Sequence, residues 1–250
     1  MDLVLSIFPG IDVAGKGFEE EGFCVVRGPD LLWGGEIRTF HPPASVFGGV
    51  IGGPPCQAFS QMRHLNPNVG KHGNLIPEFE RVVYEAQPDW FVMENVPAAP
   101  LPVVAGYKVV PLLLNNRQLG EEQHRLRRFS FGTRAGLHLC PELSPIENPE
   151  YREAVTSSSS AVPVKIGGSG KIKSTFGGPT VSAGHGAVMS HERGNMTLQE
   201  MCRLQGLPET FTDNMPFTAH GKRLVIGNAW SLPMSRAIAR SVKEVFYGRH

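Results

Sequence analysis

Apolar residues in this chain come in short unbroken runs, each closed by a turn-forming cluster. Residues 3–8, 24–26, 47–51 and 90–93 lack the polar alternation of a half-exposed strand. Of these, 3–8, 47–51 and 90–93 read as strands buried on both faces, the pattern of a parallel sheet covered by helices, and 24–26 reads as a further strand. Residues 15–23 read as a helix stopped by Gly22. In residues 74–86, Leu75, Phe79, Val82 and Val83 recur at helical spacing and end before Gln87-Pro88. Residues 107–114 read as another strand, and residues 120–132 alternate as an extended segment would. Thr197 with Glu200 three residues later forms a capping box for a helix that closes at Gly206. Residues 225–233 lead into a terminal helix over 234–246. Strands alternating with helices predict an α/β fold: a Rossmann-like, mostly parallel sheet with helices on both faces.

Composition adds limits. The 250 residues are 41% hydrophobic with a formal net charge of +1, so any nucleic-acid contact must come from local patches rather than an overall field. Cys24, Cys56, Cys140 and Cys202 show no C-x-x-C spacing, which points away from a metal site or a disulfide framework. No apolar run reaches the roughly 20 residues needed to span a bilayer, and no signal peptide is recognisable. The expectation is a soluble, cytoplasmic, monomeric protein. After Arg134 the texture changes to Ser, Gly and Lys, including the run Ser157–Ser160. That stretch reads as a loop-rich insertion or small second domain, where Lys171, Lys173 and the Gly-rich segment through His185 could meet a phosphate backbone.

Candidate chemistry gathers at strand ends. Residues 50–60 (Val-Ile-Gly-Gly-Pro-Pro-Cys-Gln-Ala-Phe-Ser) leave a buried strand through two glycines and two φ-restricted prolines, which places Cys56 on a stiff exit. A cysteine there is either a nucleophile or a buried packing residue, and partners must decide which. The next strand delivers Glu94-Asn95 at its C-terminal end. Cys56 and Glu94 therefore share one edge of the predicted sheet, where such sheets bind ligands. Gln123, Arg125 and Arg127 face one way if extended, either as an anion-binding pair of arginines or as a solvated basic edge. The first βα turn, through Gly10, offers amides and a helix N-terminus. Asp30 after the second strand, or Glu36 beyond it, could bind ribose hydroxyls.

Together these motifs resemble the DNA cytosine carbon-5 methyltransferases, over most of the chain and in family order. Pro55-Cys56-Gln57 resembles the nucleophile motif, Glu94-Asn95-Val96 the acid motif, and Gln123-x-Arg125-x-Arg127 the family's Gln-x-Arg-x-Arg. Residues 197–208 resemble the segment that scaffolds the recognition domain, and Gly227-Asn228-Ala229 the C-terminal cofactor motif. There are departures. The first turn should read Asp-x-Phe-x-Gly-x-Gly, but Ser6 stands at the Asp position and Asp12 at the second Gly position. Glu121-Glu122 stands for Val-Pro, Trp230 replaces a small apolar residue, and the variable region is short.

The resemblance implies a catalytic, cofactor-binding domain over residues 1–133 and 224–250, and a target-recognition domain over 134–223. It implies S-adenosyl-L-methionine as cofactor, held by Phe8, Gly10, Ile11, Asp30, Glu36, Ile37, Pro54, Leu75, Asn228 and Ala229, with Glu36 favoured as the acid because Gly35-Glu36-Ile37 resembles the family's Gly-Asp-Ile. It implies Cys56, Glu94, Arg125 and Arg127 as catalytic residues, and Gln57, Ser60, Asn95 and Gln123 as substrate-binding residues. Double-stranded DNA is the implied partner and no metal is needed. In the implied reaction the Cys56 thiolate adds to carbon 6 of a flipped-out cytosine while protonated Glu94 hydrogen-bonds ring N3. A related enzyme acting on RNA or on a single-stranded or modified base, and a relative that binds without catalysis, are the alternatives.

Overall fold

The computed structural model describes residues 3–55, 73–144 and 196–248. Cys56, Gln57, Ser60 and the Ser, Lys and Gly stretch predicted to meet a phosphate backbone lie outside the described residues. The described chain forms two compact units. One comprises residues 1–114, 126–142 and 228–250; the other comprises 115–125 and 143–227.

The first unit is built on a six-stranded sheet: β1 (Leu3–Ile7), β2 (Cys24–Arg27), β3 (Gly49–Gly52), β4 (Trp90–Asn95), β5 (Lys108–Asn115) and β6 (Leu126–Thr133), in the order β2-β1-β3-β4-β6-β5. β1 pairs in parallel with both β2 and β3, and β3 in parallel with β4. β6 runs antiparallel to β4. The Rossmann-like expectation holds, with β6 reversed against β4. The chain goes to opposite sides of β1 after its first and second crossovers, which makes the C-terminal ends of β1 and β3 the switch point of the sheet.

Register explains why the strands are continuous hydrophobic runs. Leu5, Val50 and Phe91 align across three strands on one face, and Ser6, Ile51, Val92 and Phe131 align on the other. The first face is covered by α2 (Ile76–Ala86), whose Ile76, Phe79, Val82, Val83 and Ala86 are buried against it. Full burial of side chains of this size contributes about 1.5–3 kcal/mol each, which outweighs α2's lack of a side-chain N-cap bond. Around α1 (Val13–Glu20), Phe18 stacks on Trp90 at 6.0 Å. The terminal helix (Leu232–Tyr247) lies against α1 so closely that a Cβ on Gly17 would fall 2.3 Å from the Cβ of Ser235. Arg236 to Glu20 and Arg240 to Glu21 tie the rim of that contact.

In the second unit, the helix Leu198–Leu204, here α3, carries the predicted capping box between Thr197 and Glu200, and Gly206 follows in a left-handed conformation. The segment leading to the terminal helix differs from a plain connection: Val225–Asn228 are the last turn of a further helix, α4 (Ala219–Asn228). The terminal helix is therefore α5. The alternation predicted from Gly120 also starts later. β6 begins at Leu126, because the Arg125 N–H turns back to the Gln123 carbonyl at 3.1 Å and to Asn115 Oδ1 at 3.2 Å.

Gly17→Val should lower unfolding stability by about 1–3 kcal/mol, the usual range for overpacking a close contact. Urea denaturation reads it directly. A midpoint equal to that of the wild type would mean that α1 and α5 part without penalty.

Candidate active site

Glu94 lies on the last turn of β4's pleat and is 8% exposed. Its cross-strand partner is Phe129 of β6. Because β6 runs backwards, the residues at its start lie beside the end of β4, and Arg127 Nε reaches Glu94 Oε1 at 2.9 Å with both side chains largely buried. The neighbouring Arg128 points the other way, as alternation requires, and donates to the carbonyls of Pro97, Ala99 and Pro100. It clamps the loop that follows Glu94-Asn95-Val96.

The β3 exit is bound to the same strand. Asn95 Nδ2 donates to the Pro54 carbonyl at 3.2 Å, and Asn95 Oδ1 accepts from the Val96 amide. Pro54 is buried. Gly53 needs to be small: a Cβ there would sit 3.0 Å from Trp230 Nε1 and 3.4 Å from Glu94 Oε2. Trp230, 5% exposed, packs edge-on against Phe129 at 5.1 Å. The indole that departs from the family pattern thus lines the Glu94 site. Cys56 is two residues beyond Pro54 in sequence.

At the other half of the edge, the turn after β1 is folded tightly. Gly10 has φ +56°, and open space surrounds the place its Cβ would occupy. Its N–H donates to Asp30 Oδ2 at 2.9 Å and its carbonyl accepts from Trp33 Nε1 at 2.7 Å. Asp30 also caps the short 3-10 turn Leu31–Trp33 through Leu32 N–H. Glu36 caps the next turn, Ile37–Thr39, and pairs with Arg38. Ile37 is buried in the core, and its carbonyl is fixed by Arg81. Phe8 and Ile11 are half-buried on the turn, and Leu75 is buried just before α2. Asn228 ends α4 exposed, with Ala229 half-buried after it.

The remaining predicted residues belong to the second unit. Gln123 is fully buried and donates to the Leu204 carbonyl at 2.6 Å. Arg125, 1% exposed, donates to the Gly227 carbonyl at 3.3 Å. Gln205 Nε2 donates to the Ile226 carbonyl. These side chains join the 123–125 segment to α3 and α4. Sequence reasoning passed over Trp33 and Arg128. Strand alternation could have separated Arg128 from Arg127, whereas nothing in the spacing marks Trp33.

Residues 35–100, which contain the β3 exit and Glu94, match the family of C-5 cytosine-specific DNA methylases. That match and the curated relatives support the C-5 cytosine-specific DNA methylase family for this chain. It is 30% identical over 163 residues to the Type II methyltransferase M.HgiDI of Herpetosiphon aurantiacus, covering 53% of this chain and 52% of that protein. It is 23% identical to M.MthTI of Methanothermobacter thermautotrophicus over 98% of both. The chain spans about half the length of the first curated relatives it matches. Solved structures share the fold: a Spodoptera frugiperda DNMT2 variant at TM-score 0.62 and 13% identity, covering 98% of this chain and 100% of that one, and Entamoeba histolytica EhMeth at 0.59 and 12%, covering 97% and 98%.

Asn95→Ala should destabilise the chain by about 1–3 kcal/mol, since it orphans the buried Pro54 carbonyl. Amide hydrogen exchange checks the cause: Val96, whose N–H is held by Asn95, should lose protection. Unchanged protection there would mean the β3 exit is held by other contacts.

Proposed function

We propose that this chain methylates carbon 5 of cytosine in DNA, with S-adenosyl-L-methionine as cofactor and Cys56 as nucleophile. The observation that carries the reading is the Glu94–Arg127 pair, fixed at the strand end beside the rigid exit that leads to Cys56. The names of the relatives, Type II methyltransferases, support DNA as substrate and a place in restriction-modification. The β1 turn suits the cofactor: Gly10 is open on the side its Cβ would fill, and Asp30 and the exposed Trp33 hold its N–H and carbonyl. When bound, the cofactor supplies an electrophilic methyl group on a sulfonium.

The chain's own residues make carbon 5 reactive. Cys56, as a thiolate, forms a bond to carbon 6 of a base flipped out of the duplex. Glu94, protonated when the base is bound, donates its proton to ring N3 as the Cys56–carbon 6 bond forms, so the adduct carries no net negative charge and carbon 5 gains enamine character. Arg127 holds the Glu94 carboxyl group in place and presents a fixed cation at the base oxygen side. Transfer of the carbon-5 proton to solvent water, with departure of the Cys56 sulfur as thiolate and return of the N3 proton to Glu94, restores the aromatic ring. Trp230 and Phe129 exclude water from the carboxyl group's inner side.

Nucleoside mass spectrometry of DNA and RNA from a methylation-free bacterial host tests the reading. The wild type should yield 5-methylcytosine in DNA, and Cys56→Ser should yield none. Methylcytosine confined to RNA would replace the substrate, and its persistence in Cys56→Ser would overturn the nucleophile. Arg127→Gln should lower kcat by about 10²–10³, the effect of losing one fixed donor at a reacting site. A near-normal kcat would remove Arg127 from the mechanism.

A further inference from the structure

The two departures in the first turn are bonded to each other. Ser6 Oγ donates to Asp12 Oδ1 at 2.9 Å, and both residues are essentially buried, at 1% and 2% exposure. The Asp12 carboxylate also accepts from the Gly15 amide at 3.0 Å, which caps α1, and from Arg27 Nε at 2.7 Å at the end of β2. One carboxylate therefore ties β1, the start of α1 and β2 together.

This arrangement holds a strained backbone. Phe8, Gly10 and Asp12 all have φ between 53° and 56°, and left-handed geometry at a residue other than glycine costs about 1–2 kcal/mol. Aspartate is among the residues that tolerate it best, and here its side chain is satisfied by three donors. Gly15 completes the fit, because a Cβ there would stand 2.4 Å from Asp12 Oδ2. From the other side the turn is held through Gly10, by Asp30 and Trp33.

We infer that Ser6 and Asp12 are a coupled exchange: the carboxylate that the family pattern puts at position 6 is supplied from position 12 instead, and Asp12 with Arg27 is the positioning device of the cofactor turn. The inference rests on the cofactor reading of that turn. It treats the altered motif as rewired and functional rather than as the mark of a lost site. Each half of the exchange fails alone. Ser6→Asp sets two carboxylates within hydrogen-bonding distance, where like charges repel. Asp12→Gly leaves Ser6, Gly15 and Arg27 without their shared acceptor.

The test is calorimetric titration of S-adenosylhomocysteine into the wild type, Ser6→Asp, Asp12→Gly, the double variant and Arg27→Gln, with circular dichroism as the fold control. The wild type should bind, and each of Ser6→Asp and Asp12→Gly should bind at least tenfold more weakly. The double variant should return to within threefold of the wild type. Arg27→Gln changes a largely exposed side chain, so it should keep the fold and weaken binding at least threefold. Steady-state kinetics should show a raised KM for the cofactor with kcat little changed at saturation. Single variants that bind like the wild type, or a double variant no better than the singles, would overturn the coupling. A wild type that does not bind would instead overturn the cofactor reading beneath it.

Discussion

The site depends on one reversal of strand direction. β3 and β4 run in parallel and end at the same edge, but a parallel neighbour to β4 would present its own C-terminal residues there. β6 runs antiparallel, so its first residues lie against the last residues of β4. That is what allows Arg127, the second residue of its strand, to meet Glu94, the fifth of its own. The same register puts Phe129 opposite Glu94 and gives Trp230 a ring to pack on. Alternation then sends Arg128 to the opposite face, where it secures the loop that β4 runs into. A cation, an apolar wall and a loop clamp all follow from three consecutive positions on one strand.

Much of this was legible in the sequence because burial writes itself as composition. β1, β3 and β4 are covered on both faces and appear as unbroken apolar runs, and α2 appears as a stripe at helical spacing. Glu94 stood out as an acid ending such a run. The Thr197–Glu200 box was readable because both halves of the cap are side chains. α4 was less visible: Gly221 and Gly227 interrupt it and few of its residues are buried, so periodicity is weak where tertiary contacts decide. Gln123 and Arg125 look like strand residues, yet their roles were set by carbonyls of Leu204 and Gly227, some 80 to 100 residues away. No local pattern encodes such partners.

The elements of the site differ in how much variation they absorb. The β4–β6 edge works by register, and a residue moved by one place would turn to the other face of the sheet. Its residues keep the family's types at the family's spacing. The β1 turn works by closing a hydrogen-bond circuit, and a circuit can be closed from more than one position. Ser6, Asp12, Gly15 and Arg27 close it with the carboxylate on the helix side rather than the strand side. Departures from a family's pattern are therefore not equal evidence against its chemistry. At Glu94 or Arg127 a change would break the ion pair that fixes the carboxyl group at the strand end, whereas at positions 6 and 12 the exchange leaves Ser6, Gly15 and Arg27 with a shared acceptor.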